Sequence, residues 1–109
     1  MLLTCSTLPG RISWAGRPDF RHRAGVAVFR LPVAESQPFG PRAAALLTAA
    51  ERLRAQRYHR AQDHDRFVLG RAAQRLVLGA YLGRPPAGLQ FEAGAHKKPR
   101  LREAPGLHY

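Results

Sequence analysis

Arg52, Arg54 and Arg57 fall within one short stretch, ERLRAQRYHR, and Lys97 and Lys98 are adjacent in another, GAHKKP. An arginine fork binds phosphate bidentately, and a lysine in a turn acts as a mobile point charge. A ligand with several phosphates needs such fixed cations, each charged hydrogen bond contributing about 1.5–3 kcal/mol where water is excluded. Arg54 and Arg57 are three apart and share a helix face, as do Arg54 and Tyr58, four apart. The plainer reading is a solvated helix face and an exposed turn, and Arg52 is left to solvent on either view. Other chemistry has less support. Cys5 is the one cysteine, which excludes an intrachain disulfide and a cysteine-based metal site. His59 and His64 miss the one-turn spacing of a helical metal site, and no carboxylate-His-His cluster occurs.

The bulk composition agrees with an anionic partner without choosing one. Eighteen Lys and Arg against seven Asp and Glu give a formal net charge of +11 over 109 residues. Arginine far outnumbers lysine, and a GC-rich genome would produce some of that excess. At 45% hydrophobic residues the chain is not a disordered polyanion binder. No apolar run approaches the ~18 residues that would span a bilayer. No secretory core follows Met1, and the lone cysteine suits a reducing compartment, so the expectation is a cytoplasmic protein without a membrane partner.

These candidate residues need elements to hold them. Met1 to Arg23 has no period and reads as coil, a poorly ordered extension over 1–23. Gly25 to Leu31 reads as a strand, and Val33 to Pro41, rich in proline and glycine, as a loop. Thr48 and Glu51 have capping-box spacing and open a helix predicted over Glu51 to Arg60. Asp63 is the expected cap of a second, longer helix. Its buried stripe is predicted at Leu69, Ala72, Ala73, Leu76 and Ala80, and Gly83 with Pro85-Pro86 ends it. Arg66 and Arg71 should lie at the surface or pair with Asp63 or Asp65. Gly70 and Gly79 inside the helix suggest close approach of another backbone. Leu89 to Glu92 alternates as a strand, Arg100 to Glu103 reads as a short edge strand, and Leu107 to Tyr109 as the start of another. Leu69, Leu76, Leu89 and Phe91 should be buried together.

In order and spacing, Thr48 to Tyr109 resembles the first half of 4'-phosphopantetheinyl transferases of the surfactin-synthetase-activating (Sfp) type. Glu51-Arg52-Leu53-Arg54-Ala55-Gln56-Arg57-Tyr58 resembles the family's E-R-x-R-A-x-R-[FY] helix. Asp65 to Arg71, followed by Leu76, Leu78 and Tyr81-Leu82-Gly83, resembles its long R-x-x-x-G-R helix. Lys98-Pro99 resembles its G-K-P-x-[LI] turn, and Leu107-His108-Tyr109 the start of its next strand. Lys97 stands where the family usually has glycine, so the turn's backbone angle is in question.

The resemblance implies an α+β fold, a small antiparallel sheet packed against a long helix. That unit, residues 24–109, would be one half of a pseudo-two-fold enzyme. It implies a transferase that moves phosphopantetheine from coenzyme A to a serine of an acyl or peptidyl carrier protein. Coenzyme A would lie between two halves, with Mg²⁺ held by acidic residues of the second. Arg54 would pair with the 3'-phosphate, Lys98 would reach phosphates, and Pro99 would shape the turn, with Arg57 and Lys97 as further candidates. The second half's metal ligands and the S-H-S motif do not occur here. No catalytic residue is therefore assigned, and the chain by itself is expected to be inactive. The alternatives are a small basic nucleic-acid-binding module, for which Tyr58 among arginines is the one aromatic signal, and a non-catalytic product of a truncated gene.

Overall fold

The computed structural model describes residues 4–8, 11–15, 26–93, 99–104, 106, 107 and 109. Strands β1 (Thr4–Leu8), β2 (Arg11–Ala15) and β3 (Val26–Arg30) form an antiparallel sheet in the order β2-β1-β3. β3 lies within the predicted strand, but β1 and β2 replace coil. β1 pairs with β3 residue by residue, from Thr4 opposite Arg30 to Leu8 opposite Val26. Its pairing with β2 shifts register between Cys5 and Thr7. Backbone pairing needs no alternating side-chain pattern, so sequence periodicity gave no sign of it.

The segment read as a loop after β3 is helical. α1 (Val33–Ser36), a 3₁₀ turn (Gln37–Phe39) and α2 (Gly40–Leu46) follow one another directly. Pro38 and Pro41 occupy the first turns of the second and third of these, where a missing N–H costs nothing. The prolines that looked like breakers are helix starters.

α3 (Ala49–Gln56) begins as predicted: Thr48 Oγ1 accepts from the Glu51 N–H at 3.2 Å, and Glu51 Oε1 accepts from the Thr48 N–H at 2.9 Å. It ends earlier than predicted, the Arg57 N–H turning back to the Arg54 carbonyl at 3.2 Å. α4 (Ala61–Leu82) then runs for 22 residues. Its cap position is Arg60, which offers no side-chain bond; Asp63 sits inside the first turn, where a carboxylate suits the positive helix end. Leu69, Ala72 and Ala73 are buried as expected, but Leu76 is half-buried and Ala80 exposed. The buried row passes instead through Val68, Ala72, Arg75 and Gly79. A charged residue inside that row hid it from an apolar count.

α4 ends at Gly83, whose φ of 62° is the left-handed conformation glycine adopts freely. Gly79 makes the anticipated close approach: a Cβ there would stand 2.7 Å from the Arg84 carbonyl oxygen. Gly70 makes none. A 3₁₀ turn (Pro86–Gly88) leads to a two-stranded antiparallel hairpin, β4 (Phe91–Ala93) with β5 (Pro99–Leu101). Both strands are shorter or shifted relative to the predicted ones. Leu107 and Tyr109 are not in a strand; the Leu107 N–H bonds the Ala104 carbonyl, so the chain curls back instead of extending.

Among the described residues the interior has two centres along α4. One gathers Ala43, Leu47, Ala55, Val68, Leu69 and Ala72; the other gathers Leu78, Leu89 and Leu101, with Phe91 packed on it. Leu69 and Leu89 are each 1% exposed, but they belong to different centres and not to one, and Leu76 to neither. The result is an α+β arrangement with a small two-stranded antiparallel sheet beside the long helix.

Candidate functional site

Capping fixes the Glu51 backbone at the start of α3, and α4 brings two arginines to its carboxylate. Oε1 accepts from Arg75 Nη2 at 2.6 Å and from Nε at 3.0 Å, and Oε2 lies 3.2 Å from Arg71 Nε. Arg75 is 1% exposed. Its remaining nitrogen, Nη1, donates to the carbonyls of Pro86 at 2.9 Å and Leu89 at 2.8 Å, just ahead of β4. Burial pushes the Glu51 carboxyl upward, but the Thr48 N–H and the Arg75 guanidinium outweigh it and hold its pKa below the usual 4.5.

Aromatic rings continue the arrangement outward. The Arg75 and Arg71 guanidiniums lie 4.9 and 5.1 Å from the Phe91 centroid. Arg71 is also 5.6 Å from the Phe67 ring, and Arg54 of α3 reaches that ring at 5.2 Å. Tyr58 meets Phe67 at 5.5 Å, and Tyr109 meets Phe91 edge-on at 5.8 Å. Arginine and phenylalanine thus alternate from α3 across α4 to β4. Arg71 and Arg75 share the carboxylate of Glu51 and Arg54 meets no carboxylate among the described residues, which leaves this face positive and suited to an anion.

Arg54 lies at the exposed end of the series, and among the described residues no carboxylate meets it. Arg57 is the exposed C-cap of α3. Pro99 opens β5 opposite Ala93. Lys97 and Lys98 lie outside the described residues. Arg66 is exposed. Arg71 pairs with Glu51 and donates to Gln74 Oε1 at 3.3 Å, not to Asp63 or Asp65. Asp65 accepts from Gln37 at 3.2 Å and neighbours His64 Nδ1 at 3.2 Å. Sequence reasoning missed Arg75 and the role of Glu51 beyond capping. The available signal was an arginine three residues after Ala72 on the buried face.

Among the described residues, one groove of about 350 Å³ lies between α2 and the start of α4, and another of about 300 Å³ between β3 and α4. Neither is lined by Arg54, Arg57 or Pro99. Among the described residues no group of three His, Cys, Asp or Glu could hold a metal ion, and no helix is long and apolar enough to cross a membrane.

No family model matches the chain, and no solved structure does. Curated proteins do. Over 65 residues it is 42% identical to a Synechocystis sp. protein named as a 4'-phosphopantetheinyl transferase (slr0495), covering 60% of this chain and 26% of that one. Over 76 residues it is 33% identical to the 4'-phosphopantetheinyl transferase HetI of Nostoc sp., covering 70% of this chain and 32% of HetI. The chain spans about a quarter to a third of the length of these relatives. Over most of its own length, then, it is similar to part of a 4'-phosphopantetheinyl transferase.

Proposed function

We propose that this chain is the coenzyme A-binding half of a 4'-phosphopantetheinyl transferase, an enzyme moving phosphopantetheine from coenzyme A to a serine of an acyl or peptidyl carrier protein. The observation that carries the proposal is the similarity to two curated proteins of that name. The motif helix α3 supports it by presenting Arg54 outward beside a positive arginine–phenylalanine series. In this reading Arg54 takes the 3'-phosphate. Lys98, with Lys97, reaches the remaining phosphates, Arg57 adds positive charge, and Pro99 fixes the end of the turn. Residues 24–109 form the half-domain, working in the cytoplasm.

Among the described residues no group of carboxylates suits the Mg²⁺ of the family. Glu51 is taken by Arg71 and Arg75, Glu92 lies 3.6 and 3.7 Å from Arg100 and Arg102, and Asp65 is bonded to Gln37. No transfer step is therefore assigned to these residues. The chain alone should bind coenzyme A weakly and leave a carrier protein unmodified. Calorimetry at low salt should show binding that Arg54→Ala and Lys98→Ala each weaken about tenfold, one charged hydrogen bond apiece. Equal affinity in all three proteins would overturn the assignment of the site, and transfer by the chain alone would overturn the account of the metal.

A further inference from the structure

Arg54 is exposed, and among the described residues no carboxylate holds it. A long exposed arginine samples many rotamers, and a ligand that ties it down must offset that freedom. One ring limits it here. The Arg54 guanidinium lies over Phe67 at 5.2 Å, within the roughly 6 Å at which a cation is drawn to an aromatic face. Phe67 is itself well seated: it is half-buried on α4, it packs against the first of the two hydrophobic centres, and Tyr58 meets its ring at 5.5 Å. Arg71, one helical turn along α4, lies 5.6 Å from the same ring. Two guanidiniums on one ring repel each other. The Glu51 carboxylate, 3.2 Å from Arg71 Nε, compensates one of them and leaves the other, Arg54, open to an anion. Leucine at position 67 would fill the same apolar seat but offer no electron-rich face. We infer that Phe67 is a positioning residue: its ring holds the Arg54 guanidinium in one place on the outside of α3, set for a phosphate monoester. The phosphate rests on the coenzyme A reading; the hold on Arg54 does not.

The test reads the two parts separately. Without ligand, the Arg54 side-chain proton resonances, identified by their loss in Arg54→Lys, should be shifted upfield by the Phe67 ring current. Phe67→Tyr, which keeps the ring, should preserve that shift. Phe67→Leu, checked as folded by circular dichroism, should return Arg54 to the position of a free surface arginine. If Phe67→Leu does not fold, Phe67→Met carries the same comparisons. Calorimetry with coenzyme A and with dephospho-coenzyme A, which lacks the 3'-phosphate, then reads the ligand. Phe67→Leu should narrow the preference for coenzyme A by about two- to fivefold, the value of one exposed cation–π contact, and Phe67→Tyr should restore it. A ring that only packs the core would weaken both ligands alike. Arg54 resonances unchanged in Phe67→Leu, or an equal loss for both ligands, overturns the positioning role. A ring-current shift that depends on Phe67, with no preference of the wild type for coenzyme A, upholds the positioning role and overturns the coenzyme A reading.

Discussion

Glu51 closes the capping box of α3 and takes the charge of Arg71 and Arg75 with the same carboxylate. Its depressed pKa makes that arrangement sensitive to acid, and the sign follows from linkage. A carboxyl that ionises more readily folded than unfolded adds stability that is present above the unfolded value of 4.5. That contribution is lost as the pH falls through the lower, folded value. The melting temperature should therefore drop on acidification below 4.5, and Glu51→Gln should flatten that limb while lowering stability at neutral pH. Thermal melts of both proteins between pH 3 and 7 would check it; parallel curves would show that other carboxylates govern the acid limb. Half of this was legible in advance. Thr48 and Glu51 announce a cap by spacing alone, because capping is local. Arg75 lies 24 residues from Glu51, and no local pattern links them. Arg54 was legible as an outward cation, since a helix face is fixed by spacing, but its contact with Phe67 is a property of how two helices meet.

At the level of elements, the sequence is most readable where backbone chemistry is local and least where proline has two uses. Gly83 ends α4 as its type demands. Pro38 and Pro41 are the same residue type that ends helices, placed in first turns, and only the structure shows which. β1 was invisible because its pairing with β3 is a long-range event; β2 pairs with β1, its neighbour in sequence, and was missed within the stretch read as coil. The two glycines inside α4 looked alike in sequence and differ in surroundings, which gives opposite predictions. Gly79→Ala would push a methyl against the Arg84 carbonyl and should cost about 1–3 kcal/mol by overpacking. Gly70 is exposed with open space around its would-be Cβ, so Gly70→Ala should add about 0.5–1 kcal/mol through helix propensity. Urea unfolding of the two variants beside the wild type measures both. The same sign for both would mean that the backbone at Arg84 to Pro86 yields, or that the helix is restrained at Gly70 by something other than propensity.

Across the whole molecule, a net charge of +11 guarantees some attraction to any polyanion, so binding alone is a weak argument for a specific ligand. Arg42, Arg52, Arg57, Arg60 and Arg66 are all exposed, and their long-range field is screened within ~10 Å at 0.1 M salt. Specific recognition differs by depending on where the cations stand. If Arg54 takes the 3'-phosphate, dephospho-coenzyme A, which lacks that group, should bind the wild type about tenfold more weakly than coenzyme A, the value of one charged hydrogen bond. Arg54→Ala should bind the two ligands equally. Duplex DNA should behave otherwise, because each phosphate contact releases a counterion. An interface of several contacts loses on the order of 10³-fold or more in affinity between roughly 0.05 and 0.2 M salt, whereas a ligand of three phosphate groups loses much less. Titrating all three ligands at both salt concentrations therefore separates a built phosphate site from a diffuse basic surface. Duplex DNA outcompeting coenzyme A at the higher salt, with no preference for the 3'-phosphate, would make this chain a nucleic-acid-binding module and set Arg54 among its ordinary surface charges.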